Sequence, residues 1–578
     1  MKIELSRRLG YCFGVRRAMD LAFQNLAQAV GPVYGYGPLI HNKPAGELLA
    51  DKGLKLWPGP AGLKLDEKAT VIVRAHGLPP KAWADLERLP VKVVDATCPR
   101  VLGVQKLVAK EAAKGSAVLI WGTLGHPEVE GLLGYADDKG LVISGPQDIL
   151  ALPDLKDVFL VAQTTQDLEL WPEVIAAVKS RWPLARFKDT ICLATVNRQK
   201  ETQRLCLNAQ ALVVVGGKES ANTLRLAEIG RRAGLPTLAV EGPEEIESSF
   251  AEGLSQVALT AGASTPIWQL RAVAQKLEAL ERSRGSSPPD FVARLFRALA
   301  LSNIYVGLGA GALSLAVAKW GGFNPADFYF GLAFFYVQAM HLLNGFLDRE
   351  SSRYNDPDRA VFLSQYRLAL AFCGASSLFL ALSAANLAGP WVLAQMLIQS
   401  ALGLAYALPL PVKVFKVRRL SDLPLSKTLS IAGGWAVLLA GPAILADPPL
   451  IPRTMEGLKL ISLIGGAIFL NVLTRTIIMD LEEAFGDRLF GRKTLVYLLG
   501  RDRALMILGL VMVLGAIYLL TAYFKGAPTI VLWLFFCGPL YNALFLLRYF
   551  RGLGLMGFKL DLILDAQFLL AGLGLWLL

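Results

Sequence analysis

Histidine and cysteine are scarce: 578 residues hold four of the first and six of the second. The cysteines show no paired short spacings, which excludes a zinc-finger array, and they are too sparse for a disulfide scaffold. They read as thiols of a reducing cytoplasm, kept for ligation or packing. Charged residues make up only 18%, below the roughly 25% of ordinary soluble domains, and a 54% hydrophobic content excludes disorder. No P-loop lysine motif is present. The opening MKIELSRRLG lacks an apolar run after its arginines and is not expected to act as a secretory signal. With no finger spacing, no RNA-recognition aromatics and no basic tail, the net charge of +12 is not assigned to nucleic acid.

The mean hydropathy of +0.44 averages two unlike halves. Over the first 280 or so residues, short apolar runs such as Val71 to Val73, Ala117 to Trp121, Val158 to Val161 and Ala211 to Val215 alternate with stretches of helical spacing. That pattern predicts α/β architecture with parallel sheets. SRGSSPPD, residues 283–290, reads as a linker between a domain over 1–282 and another over 291–578. Beyond it lie nine apolar stretches of membrane-crossing length, near 296–318, 326–346, 365–388, 391–410, 426–446, 458–480, 503–523, 527–548 and 559–578. Basic residues gather in alternate loops: Arg349, Arg353 and Arg359, then Lys413, Lys416, Arg418, Arg419 and Lys427, then Arg488, Arg492, Lys493, Arg501 and Arg503. The positive-inside rule puts these loops and the first domain in the cytoplasm, with the second domain multi-pass in the inner membrane.

Cys12, Cys98 and Cys192 stand in GYCFGV, DATCPRV and DTICLATVNRQ, 86 and 94 residues apart. Each follows an extended stretch and precedes a helical one. A helix N-terminus favours a thiolate and makes it a good ligand. Three such junctions converging would hold an iron–sulfur cluster with one iron lacking a protein ligand, leaving room for substrate. Cys206, Cys373 and Cys537 read as packing residues.

Three of the four histidines, His41, His76 and His126, lie in the first half, the last two directly after strand-like runs, where α/β sheets gather ligands. Thr164 and Thr165 in AQTTQ, Ser220 and Asn222 in GGKESANT, and Ser264 in AGAST occupy comparable places. Imidazoles, hydroxyls and amides at helix N-termini can bind a diphosphate without a P-loop. Taken singly, each serine or threonine reads equally as a helix cap.

The ordered set GYCFGV, PLIHNK, VRAHG, DATCP, GHPEVEG, AQTT, TICLATVNRQ, the KESAN loop and TAGAS resembles the 4-hydroxy-3-methylbut-2-enyl diphosphate reductases, which catalyse the last step of the non-mevalonate isoprenoid pathway. The resemblance covers residues 1 to about 275. It implies a three-lobed α/β fold around a [4Fe–4S] cluster on Cys12, Cys98 and Cys192, and ferredoxin or flavodoxin as electron donor. It places His41, His76, His126, Thr164, Thr165, Asn197, Ser220, Ala221, Asn222 and Ser264 around the substrate, with Glu128 as proton source and His126 and Thr165 beside it. Ala221 stands where the family often has a second serine.

In the second half, Asp480, Glu483 and Asp487 are spaced to share one helical face at the end of the sixth apolar stretch. Carboxylates so placed could hold Mg²⁺ against a diphosphate. Residues 290–578 resemble the UbiA-type intramembrane prenyltransferases, in this motif, in the GDRLFGRKTL that ends it and in YALPLPVK at 406–413. The resemblance implies an all-α polytopic domain of about nine transmembrane helices that transfers a prenyl group from a polyprenyl diphosphate to an acceptor. The first acidic motif departs from the family: Gly345 and Ser352 replace two aspartates, leaving Asn344 and Asp348. The alternative is a non-catalytic anchor or lipid-binding domain. Asp561 and Asp565, four apart in the last stretch, have no family explanation.

Overall fold

The computed structural model describes residues 2–59, 65, 67–283, 291–320, 326–347, 354–408, 420–446, 454–489, 492–526, 530–550 and 558–577. The chain divides into two compact units, Met1–Gly285 and Ser286–Leu578. Most of the expected linker, all of residues 348–353 with Asp348, and the YALPLPVK segment beyond Leu408 lie outside the described residues.

The first unit is α/β, and its short apolar runs become the buried strands of three four-stranded sheets. One runs Leu54–Trp57, Val33–Tyr36, Thr70–Val73, Lys92–Asp95, all parallel. The second runs Gly140–Ile143, Ala117–Trp121, Val158–Ala162, Arg186–Lys188, again parallel. The third runs Thr237–Val240, Ala211–Val215, Gln256–Ala261, Lys2–Leu5. In each the chain visits the four strands in the same spatial order, except that the fourth strand of the last sheet comes from the start of the chain. Parallel strands need crossover helices that cover both faces, so the central strands are almost fully apolar, while edge strands such as Arg186–Lys188 are exposed. Val71, Ile72 and Val73, and likewise Val213 and Val214, are wholly buried. Between the second sheet and its helices, Trp121 stacks on Trp171 with ring centroids 5.6 Å apart.

One consequence positions the site. Each of the three cysteines follows the fourth strand of a lobe and caps the helix after it: Cys12 before Phe13–Gln28, Cys98 before Pro99–Ala113, Cys192 before Leu193–Cys206. The roughly even cysteine spacing reflects this threefold repetition of one strand order.

The second unit is helical. Among the described residues, five helices are long and apolar enough to cross a membrane: Phe328–Leu347, Arg367–Ala388, Ser426–Leu445, Met455–Ala484 and Arg501–Phe524. A sixth span results if Arg294–Leu301 and Ile304–Ala318 count together; they meet at 76°, where Asn303 takes a left-handed φ of 60°. The eighth apolar stretch is interrupted by a π-helical turn, Phe536–Leu540, that contains Pro539. Phe372, Phe379, Met506 and Val513 point outward and are exposed, the arrangement expected of helices solvated by lipid rather than water. Charges turn inward: Arg475 pairs with Asp565 at 2.9 Å, and Arg359 pairs with Asp356 and Asp561. The two aspartates of the last helix are thus counter-ions of buried arginines, since an unpaired charge at this depth would be costly.

Candidate active site

In the first unit, the three cysteine-capped helices start at one cavity, because each lobe presents the carboxyl edge of its sheet to it. The attachment repeats in every lobe. The Cys12 N–H donates to the carbonyl of Ala263 (3.0 Å), that of Cys98 to Ala75 (2.9 Å) and that of Cys192 to Thr164 (2.9 Å). The residue after each acceptor is Ser264, His76 and Thr165 respectively, so every thiol is tied beside a polar side chain. A Cβ built on Gly14 would stand 2.5 Å from Sγ of Cys98; only glycine lets the first helix approach the second thiol. All three cysteines are free and partly accessible. Burial pushes the Cys98 thiol up, and the proximity of Cys12 and Cys192 adds to the rise.

The imidazoles form a second group. The ring centroids of His41, His76 and His126 are 4.8, 5.5 and 5.3 Å apart. Burial lowers all three: His126 to about 4, His41 below its ordinary value and His76 well below it; Arg74 adds to each, and neighbouring imidazoles add at His76 and His126. All are neutral at pH 7. His126 caps helix Pro127–Ala136, its Nδ1 accepting from the Glu128 N–H at 3.1 Å, which leaves Nε2 as the proton-bearing nitrogen. His41 Nε2, His76 Nδ1 and both amide atoms of Asn222 are buried with no hydrogen-bond partner among the described residues. Orphaned groups of this kind are costly unless a ligand completes them. Ser264 Oγ donates to the His41 carbonyl (3.0 Å) and lies 3.5 Å from Ser220 Oγ.

Glu128 closes the cavity. It is 1% exposed; Oε1 accepts from the Thr164 N–H (2.7 Å) and Oε2 from the Thr164 hydroxyl (2.9 Å). Burial pushes its carboxyl up to about 7, against the pull of those two bonds. Desolvation therefore wins, and much of the population holds a proton near neutrality.

The cavity brings together Cys12, Cys98, Cys192, His41, His76, His126, Glu128, Thr164, Thr165, Ser220, Ala221, Asn222 and Ser264. Asn197 is half-buried on the Leu193–Cys206 helix and does not line it. Thr195, Arg100 and Arg198 escaped the sequence reading. Arg198 is 5% exposed, donates to the Gly10 carbonyl and has an unpartnered Nε. The sulfurs of Cys12 and Cys192 favour its charge, while burial, Arg16 and Arg8 oppose it. Three thiols at helix N-termini and the Gly14 cradle fit an iron–sulfur cluster.

In the second unit Asp480, Glu483 and Asp487 do converge, with ligand oxygens within 4.8 Å of one another. They already hold a cation, the ammonium of Lys427, at 3.0, 2.6 and 3.1 Å. Asp480 also accepts from Thr428 Oγ1 at 2.8 Å. Mg²⁺ demands near-octahedral oxygen ligation at about 2.0–2.1 Å, which an ammonium in the midst of the carboxylates excludes. As these residues stand, they do not fit the ion. Asn344 lines an apolar cavity of about 940 Å³ together with Tyr406 and Ser426.

Cysteine-capped helices closing with neutral imidazoles on a buried acid define an oxidoreductase of the thiol-ligated kind. Residues 3–278 match the LytB protein family model. A 4-hydroxy-3-methylbut-2-enyl diphosphate reductase from Geobacter metallireducens is 35% identical over 286 residues, 50% of this chain and 100% of its own length. The Aquifex aeolicus reductase is 36% identical over 281 residues, 48% and 96%. Among solved structures, the Plasmodium falciparum reductase is 23% identical with a TM-score of 0.46 over 50% of this chain and 89% of its own. A UbiA homolog from Archaeoglobus fulgidus bound to GPP and Mg²⁺ is 15% identical with a TM-score of 0.35, over 49% and 100%. The chain belongs, through its first half, to the 4-hydroxy-3-methylbut-2-enyl diphosphate reductase family.

Proposed function

We propose that the first half reductively removes the hydroxyl of (E)-4-hydroxy-3-methylbut-2-enyl diphosphate, giving isopentenyl and dimethylallyl diphosphate, with a [4Fe–4S] cluster on Cys12, Cys98 and Cys192. The observation that carries this reading is one cavity lined jointly by three capping thiols, a protonated carboxyl and unpartnered imidazole and amide atoms. When bound, the cluster supplies two electrons singly and a Lewis-acid position. The diphosphate is received by His41, His76, Ser220, Asn222 and Ser264, which complete their hydrogen bonds on its oxygens. Glu128 delivers the proton with which the hydroxyl leaves as water, and Thr164 holds its carboxyl in place. Two electrons and two protons enter for each water lost. The second proton goes to either end of the allylic system, hence two products. Ferredoxin or flavodoxin is the electron donor.

Anaerobic purification of the full chain with iron and sulfide analysis, followed by a product assay, tests the reading. A cluster without consumption of the substrate would leave only a redox-sensing role. Arg198→Gln should shift the cluster potential negative by at least about 60 mV, a tenfold change in a one-electron equilibrium, because the buried cation favours the reduced form. An unchanged potential in a redox titration would mean that Arg198 merely packs.

We read the second half as a nine-span domain of the inner membrane, with the reductase on the cytoplasmic side, that receives an isoprenoid chain. The 940 Å³ cavity among its helices, lined by Tyr336, Met340, Trp391 and Trp435, supports this; ligand pockets typically span about 300–1,000 Å³. Prenyl transfer from a polyprenyl diphosphate is the second reading, favoured by the shared face of Asp480, Glu483 and Asp487. It calls for Mg²⁺-dependent binding of that donor.

A further inference from the structure

Resting on the reading of the second half as an isoprenoid-binding domain, we propose that its cavity takes an uncharged isoprenoid alcohol without any divalent cation, the Lys427 ammonium being the permanent counter-ion of Asp480, Glu483 and Asp487. The disagreement with Mg²⁺ is the starting point. Mg²⁺ commonly binds through one or two carboxylates together with substrate phosphates, and the first acidic motif has given up two of its carboxylates to Gly345 and Ser352. Lys427 lies within 3.1 Å of all three carboxylates of the second motif, while Asp480 Oδ1 and Asp487 Oδ1 stay buried with no hydrogen bond among the described residues. Asp480 and Asp487 are wholly buried, so the ammonium is not an exposed side chain at rest on a solvated acidic patch. Breaking such an arrangement by drawing one partner away costs several kcal/mol, and an incoming hydrated Mg²⁺ would have to meet that cost as well as shed its own water.

The same charges oppose a bare diphosphate. Among the described residues, the buried cations of this unit are spoken for: Arg475 by Asp565, Arg359 by Asp356 and Asp561, and Arg492 stands 3.7 Å from Asp487. The lining of the cavity asks for the opposite kind of head group. Asn344 and Gln395 line it and bury side-chain oxygens that have no hydrogen-bond partner. An unsatisfied oxygen needs a donor. A hydroxyl can donate; an ionised diphosphate cannot. The rest of the wall is apolar and suits a polyprenyl chain.

The test uses the full chain in lipid nanodiscs with radiolabelled geranylgeraniol and geranylgeranyl diphosphate, each with Mg²⁺ or with EDTA. The alcohol should bind saturably and equally in both buffers, at least about tenfold more tightly than the diphosphate, a difference of about 1.4 kcal/mol. Gly434→Phe should abolish that binding, since a Cβ at this lining position meets open space. Mn²⁺, followed by electron paramagnetic resonance, should fail to bind the parent but bind Lys427→Gln, in which the carboxylates lose their ammonium. Tighter binding of the diphosphate that EDTA removes, or a Mn²⁺ site in the parent that Asp480→Asn eliminates, would overturn the proposal while leaving the isoprenoid reading intact. No saturable binding of either lipid would overturn the isoprenoid reading itself, and this proposal with it.

Discussion

Glu128→Gln should lower turnover by about 10²–10⁴-fold, the usual worth of a positioned acid, without changing cluster absorbance. Glutamine keeps the shape and still accepts from the Thr164 N–H, now at 2.7 Å from Oε1. Its amide nitrogen, in the place of Oε2, can donate to the Thr164 hydroxyl oxygen, so the wall of the cavity persists. What disappears is the transferable proton. The pH profile carries the same signature. A carboxyl raised to about 7 is protonated below that value and ionised above it, so donor-limited turnover should be sustained on the acid side and fall as pH rises through about 7. The residual activity of the glutamine variant should lack that limb. Equal turnover in parent and variant, or an unchanged pH profile, would remove Glu128 from the mechanism.

The second large effect is expected at a residue without a side chain. Gly14→Val should cut iron and sulfide content several-fold and turnover in proportion, while the far-ultraviolet circular dichroism stays that of the parent. The first atom added to Gly14 would lie 2.5 Å from Cys98 Sγ and 2.9 Å from its Cβ. Neither cysteine-capped helix can retreat cheaply, because Cys12 and Cys98 are both pinned through backbone hydrogen bonds to neighbouring strand ends. The thiol must therefore move, and thiols that cannot meet cannot share a centre. Gly103→Ala on the Pro99–Ala113 helix is the control: nothing lies within 4 Å of its added Cβ, and cluster content should be retained. Full iron loading of Gly14→Val would show that the two helices are less closely fitted than these distances require.

What was legible in the sequence was whatever produces a local signal. Val71 to Val73 and Ala211 to Val215 are continuous apolar runs with nowhere to go but a sheet covered on both faces. Cys12, Cys98 and Cys192 stand at extended-to-helical junctions that can be read from spacing alone. The correspondence between lobes was not legible. His41, His126 and Ser220 all follow the first strand of a lobe, and His76, Thr165 and Ser264 the third. The side chains differ in chemistry, and one lobe is assembled from both ends of the chain, so no linear repeat betrays it. Arg198 was missed because an arginine in the middle of NRQ looks like any other; only its burial and its unpartnered Nε mark it. In the second half, nine apolar stretches were expected, and among the described residues five or six helices are long and apolar enough to cross a membrane. Lys427, counted among the residues of a basic loop, instead sits in the first turn of the Ser426–Ala440 helix and faces the carboxylates. Charge counting alone could not anticipate that pairing.

The strand that completes the third sheet has a consequence for biogenesis. Lys2–Leu5 is synthesised well before its partner strand among the described residues, Gln256–Ala261, which arrives some 250 residues later. At roughly 5–20 residues per second that is a delay of about 12–50 s. For that interval the nascent chain carries an unpaired edge, and Cys12 has no fixed address. A ribosome stalled before residue 261 should present two finished lobes unable to retain iron. The first helix of the second unit begins at Phe291, only some 30 residues after Gln256–Ala261, so folding of the first unit and synthesis of the apolar helices fall almost together.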